Sequence, residues 1–138
     1  MAERVIIEWP QFNTSVRARL LIEKAPEFCS LFLSKLPFKS FQWHAVISGE
    51  NMGFPFPAVV TKMENPADRD VGDLYFYANG QLVAIPYGET TEPCRVNKFG
   101  EIEKDDFEKL NDVGEKILQS FLTGFGEAID IIIRKEGE

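Results

Sequence analysis

The sequence predicts a mainly β fold carrying two helices, and three observations lead there. Arg4 to Trp9 alternates, with Val5, Ile7 and Trp9 on one face, and Val16 to Ile22 does so again with Val16, Ala18 and Leu20 opposite Arg17 and Arg19. Asn79-Gly80, a strong hairpin-turn signal, lies between the strand-like runs Asp73 to Tyr77 and Gln81 to Tyr87. Only two stretches, beginning at Ala25 and at Asp105, carry the spacing of an amphipathic helix.

Taken in order, Pro10 to Thr14 supplies turn chemistry between the first two strands, which read as an antiparallel hairpin. Pro26 suits a first helical position, and Phe28, Leu31, Phe32 and Leu36 fall on one helical face before Pro37. That face is suited to plugging the open end of a sheet or barrel. Phe38 to Ile47 reads as a strand, and residues 48–70 as a loop-rich region with a short strand at Ala58 to Lys62. Gly88 to Asn97 reads as a polar loop. From Asp105 to Thr123 the sequence gives its clearest helix. Asp105 and Glu108 resemble a capping box, Phe107, Leu110, Val113, Ile117, Leu118 and Phe121 form a stripe, and Gly124 is placed to end it. Ala128 to Arg134 is apolar almost throughout, the pattern of a central strand buried on both faces.

At 138 residues the chain is expected to form a single domain spanning 1–138, long enough to bury a core without a disulfide or metal staple. A net charge of −7, with no cluster of Lys and Arg, argues against nucleic acid as a partner. The opening MAERVIIEWP lacks the basic and apolar blocks of a signal peptide, no apolar run has membrane-spanning length, and Cys29 and Cys94 lie far apart. A reduced, cytoplasmic protein without membrane contact is expected. One His and two distant Cys cannot form a zinc set, the loop acids fit no EF-hand, and no phosphate-binding glycine motif occurs. No cofactor is expected.

The order hairpin, helix, strands, helix, strand resembles the cyclophilin fold. Lys24-Ala-Pro-Glu-Phe28 resembles the start of its first helix, and Phe99-Gly100-Glu-Ile-Glu103 the segment before its last. Glu64-Asn65-Pro66, Gly72-Asp73-Leu-Tyr75 and Ile85-Pro-Tyr87-Gly88 resemble small prokaryotic cyclophilin-like proteins of unknown function. The resemblance implies a closed eight-stranded antiparallel barrel with a helix capping each end.

It also implies a groove beside residues 41–56. Cyclophilins carry Phe-His-Arg on the corresponding strand, and the arginine stabilises the proline nitrogen as it loses amide conjugation. Here that position falls on Ala45, so the resemblance implies a site without standard prolyl isomerase chemistry. Trp43, Phe54, Phe56, Tyr75 and Tyr87 are the candidate apolar floor, with His44, Asn51 and Glu89 as polar points and Arg95 reaching in from a loop. Alternation lets either Trp43 or His44 face the interior, not both. No residue is assigned a catalytic role: His44 reads more simply as a structural residue than as the base for Cys29 or Cys94. The leading expectation is a barrel that binds a small molecule or peptide. A divergent isomerase or hydrolase-associated enzyme and a homo-oligomeric interaction protein are the alternatives.

Overall fold

A computed structural model describes residues 3–60, 62–123 and 128–137. Ten strands and two helices follow in the order β1 (Arg4–Trp9), β2 (Thr14–Leu20), α1 (Pro26–Ser34), β3 (Phe38–Phe41), β4 (Trp43–His44), β5 (Gly49–Pro55), β6 (Pro66–Asp68), β7 (Asp73–Tyr77), β8 (Leu82–Thr90), β9 (Arg95–Ile102), α2 (Phe107–Thr123) and β10 (Asp130–Lys135). Every pairing is antiparallel. The path runs β3-β10-β1-β2-β9-β7-β8-β5-β4, with β6 paired to β9 outside it. Only Gln42 separates β3 from β4 along the chain. Counted as one bent strand, they reduce the nine-strand path to eight and bring it round into a nearly closed barrel.

The bend is held by side-chain hydrogen bonds. Gln42 accepts one from the Trp9 indole N–H at 2.7 Å and donates to the Trp43 and Gly53 carbonyls at 2.8 and 2.7 Å. These bonds join β1, the bend and β5 where the ladder is interrupted.

Each helix lies over a different end of the β5–β8 ladder. At the end carrying Phe54 and Phe56, α1 inserts Cys29 together with Phe28 and Phe32, and the two phenylalanine rings meet those of Phe56, Phe76 and Phe99 at centroid distances of 4.5–5.9 Å. At the end carrying Tyr87, α2 buries Leu110, Val113, Gly114 and Ile117. A Cβ on Gly114 would lie 2.3 Å from the Tyr87 ring, so helix and strand approach as closely as only glycine permits. No helix among the described residues is long and apolar enough to cross a membrane.

Several expectations need correction. The Gly88 to Asn97 loop is largely strand: β8 continues to Thr90 and β9 begins at Arg95. Ala58 to Val60 is irregular, and residue 61 lies outside the described residues, as does Gly124. The second β strand starts and ends two residues earlier than alternation indicated. Asp105 forms no capping bond; a 3-10 turn over Lys104–Asp106 leads into α2, and Asp106 instead accepts hydrogen bonds from Arg17, including its backbone N–H at 2.8 Å. Strand β10 is central but buried on one face only, through Ile131 and Ile133, while Ile132 is half-buried.

Candidate functional site

Strand β4 presents its two side chains to opposite sides of the barrel wall, as the pleat requires. His44 points inward, 3% exposed, beneath α2. Its Nδ1 lies 2.7 Å from the Ala45 carbonyl and its Nε2 lies 2.8 Å from the Tyr87 hydroxyl. A carbonyl only accepts, so the proton sits on Nδ1; Nε2 then accepts from the tyrosine O–H. Burial, then the charges of Glu115 and Glu50, push the Tyr87 phenol above its ordinary pKa, which keeps that donor in place. With both nitrogens occupied, His44 is built into the wall rather than presented to a substrate.

Trp43 points the other way, into a cavity of about 660 Å³ on the outer surface of the barrel. This volume is in the range of small-molecule sites. The floor is a small buried cluster separate from the main core, formed by Tyr75, Ala84 and Val96 on the neighbouring strands β7, β8 and β9. One side is the irregular segment after β5, represented by Val60, Lys62 and Met63; the other holds Arg69, Glu92, Cys94 and Arg95. Strand β6 sets the position of Arg69, whose backbone N–H continues the β6–β9 ladder by bonding to the Cys94 carbonyl at 3.1 Å.

The polar groups of this wall are joined but incompletely satisfied. Asn51 donates from Nδ2 to the Tyr75 hydroxyl at 2.9 Å, while its Oδ1 has no partner. Asn97 accepts the Asn65 backbone N–H at 3.2 Å, which fixes its amide orientation and leaves Nδ2 as a donor with nothing to bond. Arg69 donates from Nη2 to the Glu92 carbonyl at 2.8 Å and to its carboxylate at 2.7 Å, and its guanidinium also interacts with the Tyr75 hydroxyl, while Nε has no partner in hydrogen-bond geometry. The hydrogen bond from Thr91 and then that from Arg69 hold the Glu92 carboxyl below its ordinary pKa.

Among the described residues, the buried side-chain polar atoms without a partner are Asn51 Oδ1, Arg69 Nε and Asn97 Nδ2, and all three residues line this one cavity. Leaving such an atom unpaired costs about 1–3 kcal/mol. Their coincidence in one wall distinguishes the cavity from the fully bonded interior around His44.

The residues expected from sequence divide between the two sides. Trp43, Asn51, Tyr75 and Arg95 come together in the cavity wall. His44, Phe54, Phe56 and Tyr87 are in the barrel interior, 0–3% exposed, and cannot form a groove floor. Glu89 is exposed near the end of β8, its backbone N–H bonded to Glu50, and does not line the cavity. Sequence reading missed Arg69, Asn97 and Glu92. Arg69 sits in the Asp68-Arg-Asp70 run, which has the pattern of a solvated loop, and Asn97 was assigned to a loop although Val96 and Phe99 flank it on a strand.

No protein-family model matches the chain, and no curated protein matches it. Solved structures do. The structure of McbB in complex with tryptophan superposes with a TM-score of 0.86 at 26% identity, covering 97% of this chain and 45% of McbB. This chain therefore spans less than half of the McbB chain. The solution structure of the hypothetical protein AF2241 from Archaeoglobus fulgidus superposes with a TM-score of 0.63 at 20% identity, over 97% of this chain and 95% of that one. At that identity the second likeness shows a shared barrel fold.

Proposed function

We propose that the protein is a cyclophilin-like barrel that binds a small organic molecule in the cavity outside strands β4, β5, β7 and β8, without prolyl isomerase chemistry. The observation that carries this reading is that three residues lining one cavity each hold a buried polar atom without a partner. A ligand that bonds to them recovers the free energy lost in burying them unpaired. Trp43, Tyr75, Ala84 and Val96 supply the apolar contact that most small-molecule sites use for affinity. The structure of McbB was determined with tryptophan, which makes tryptophan the first probe to try on this chain.

Ala45 supports the non-isomerase part of the reading. Its side chain has no donor, and its backbone N–H is already bonded to the Asn51 carbonyl at 2.9 Å.

Cys94 provides the test. It is an exposed, free thiol in the cavity lining, whereas Cys29 is buried. Bound tryptophan should slow alkylation of Cys94 and shift the amide resonances of Trp43, Tyr75 and Asn97. Unchanged alkylation and unchanged spectra across a panel of aromatic amino acids, indoles and short peptides would sink the proposal. Self-association is a second reading, favoured by the exposed Val46, Ile47 and Leu122, at 93%, 82% and 70% accessibility. Light scattering decides it: a monomer at all concentrations removes it.

A further inference from the structure

Resting on that binding reading, we infer that the ligand is an aromatic carboxylate, with Arg69 and Asn97 taking its acid group. The first ground is charge. The protein carries a net −7, yet among the described residues the cavity is lined by three cations, Lys62, Arg69 and Arg95, against one acid, Glu92. An acidic protein whose cavity is locally cationic favours an anion there.

The second ground is the direction of the unmet hydrogen bonds. Arg69 Nε and Asn97 Nδ2 are donors, and they need an acceptor from the ligand. The Arg69 side chain is 5% exposed and Asn97 is 2% exposed, so little water reaches either. A guanidinium keeps its charge at any ordinary pH and makes charge-assisted hydrogen bonds to carboxylates. Here Nη2 is held by Glu92, which fixes the plane of the group, while Nε on the same edge has no partner. Arg95 is a lesser contributor, because it is exposed and engages the Pro66 carbonyl at 3.2 Å and Asp68 at 3.9 Å.

The third ground concerns the body of the ligand. Trp43 and Tyr75 offer aromatic surfaces beside the apolar Ala84 and Val96. Asn51 Oδ1, an acceptor without a donor, adds a place for an N–H or O–H of the same molecule. A free inorganic anion would satisfy the donors and leave this surface bare.

Indole-3-acetate and its neutral isostere indole-3-acetamide separate the possibilities, with phenyl phosphate as a third probe, all measured by calorimetry on the wild-type protein. The acid is expected to bind about tenfold to a hundredfold more tightly than the amide, the range for one charged hydrogen-bonding contact. Arg69→Gln should bring that ratio close to one by weakening the acid more than the amide, and Arg69→Lys should restore only part of it. The ratio in wild type stands by itself if Arg69→Gln fails to fold. Equal binding of acid and amide would overturn the carboxylate inference and leave small-molecule binding intact. Tighter binding of phenyl phosphate than of the acid would also overturn it. If none of the probes binds, and Cys94 alkylation is untouched by every compound of the wider panel, both proposals fall.

Discussion

Gln42 and His44 on the inner side of the bend, and Asn51, Arg69 and Asn97 around the outer cavity, are all polar and all buried, but they differ in how their hydrogen bonds are met. On the inner side every side-chain nitrogen and oxygen of Gln42 and His44 has a partner within the chain. Around the cavity three atoms do not. The difference separates groups whose bonding is completed by folding from groups whose bonding waits for something else. Burial alone does not mark a site; burial with an unmet bond does.

The comparison can be broken in several places. The largest expected effect is at Gly114→Val, where the new side chain would meet the Tyr87 ring at 2.3 Å. Overpacking of this kind costs about 1–3 kcal/mol or more, so the urea midpoint should fall clearly. An unchanged midpoint would mean that α2 does not rest on Tyr87.

Next is Tyr87→Phe, which removes the donor to His44 Nε2 and strands a buried acceptor. A loss of about 1–3 kcal/mol is expected, with ligand affinity unaltered, because neither residue reaches the cavity. Reduced affinity without reduced stability would reverse the roles assigned to the two sides.

Asn51→Leu should behave in the opposite way. It deletes the hydrogen bond to Tyr75 and a longer one to Ser48 at 3.4 Å, together with one unsatisfied oxygen, so stability is expected to change by less than about 1 kcal/mol, while ligand affinity drops.

The smallest effect is electrostatic. Glu101 is held below its ordinary pKa by the hydrogen bond from Lys98 and then by Arg19; a depressed carboxylate adds stability above the ordinary carboxylate range and loses it as pH falls through its folded value. Asp73 opposes this trend: burial outweighs Lys98 and raises its pKa, so its contribution is present at low pH and is lost as pH rises through the folded value. Glu101→Gln should therefore flatten the acid limb of the stability curve, and Asp73→Asn should steepen it. Thermal melts between about pH 3 and 7 read both.

Much of the fold was legible because its signals are local. Strand β1 is legible to the residue from three inward apolar side chains, and α1 from Pro26 and the stripe Phe28, Leu31, Phe32 and Leu36. Strand β9 was not, since a bulge between Leu74 and Tyr75 shifts the pairing from Gly100 to Lys98 and breaks alternation around Phe99. Half of the candidate site was hidden for a different reason. Arg69 enters the wall because β6 folds over β9, a tertiary pairing that leaves no trace in Asp68-Arg-Asp70. Phe54 and Tyr87 face the interior because of their phase along β5 and β8, which residue type does not reveal.

The bent strand from Phe38 to His44 also sets an order of assembly. One half pairs with β10 and the other with β5, and β10 lies between β3 and β1. Until residues 130–135 have left the ribosome, the edges of β1 and β3 are without their neighbour. The barrel cannot close before then, and the contacts that close it join residues about a hundred positions apart, a topology that folds slowly. For that interval the two open edges are templates for pairing with another chain, so a chaperone that shields extended segments would protect this protein most between the synthesis of β1 and the docking of β10.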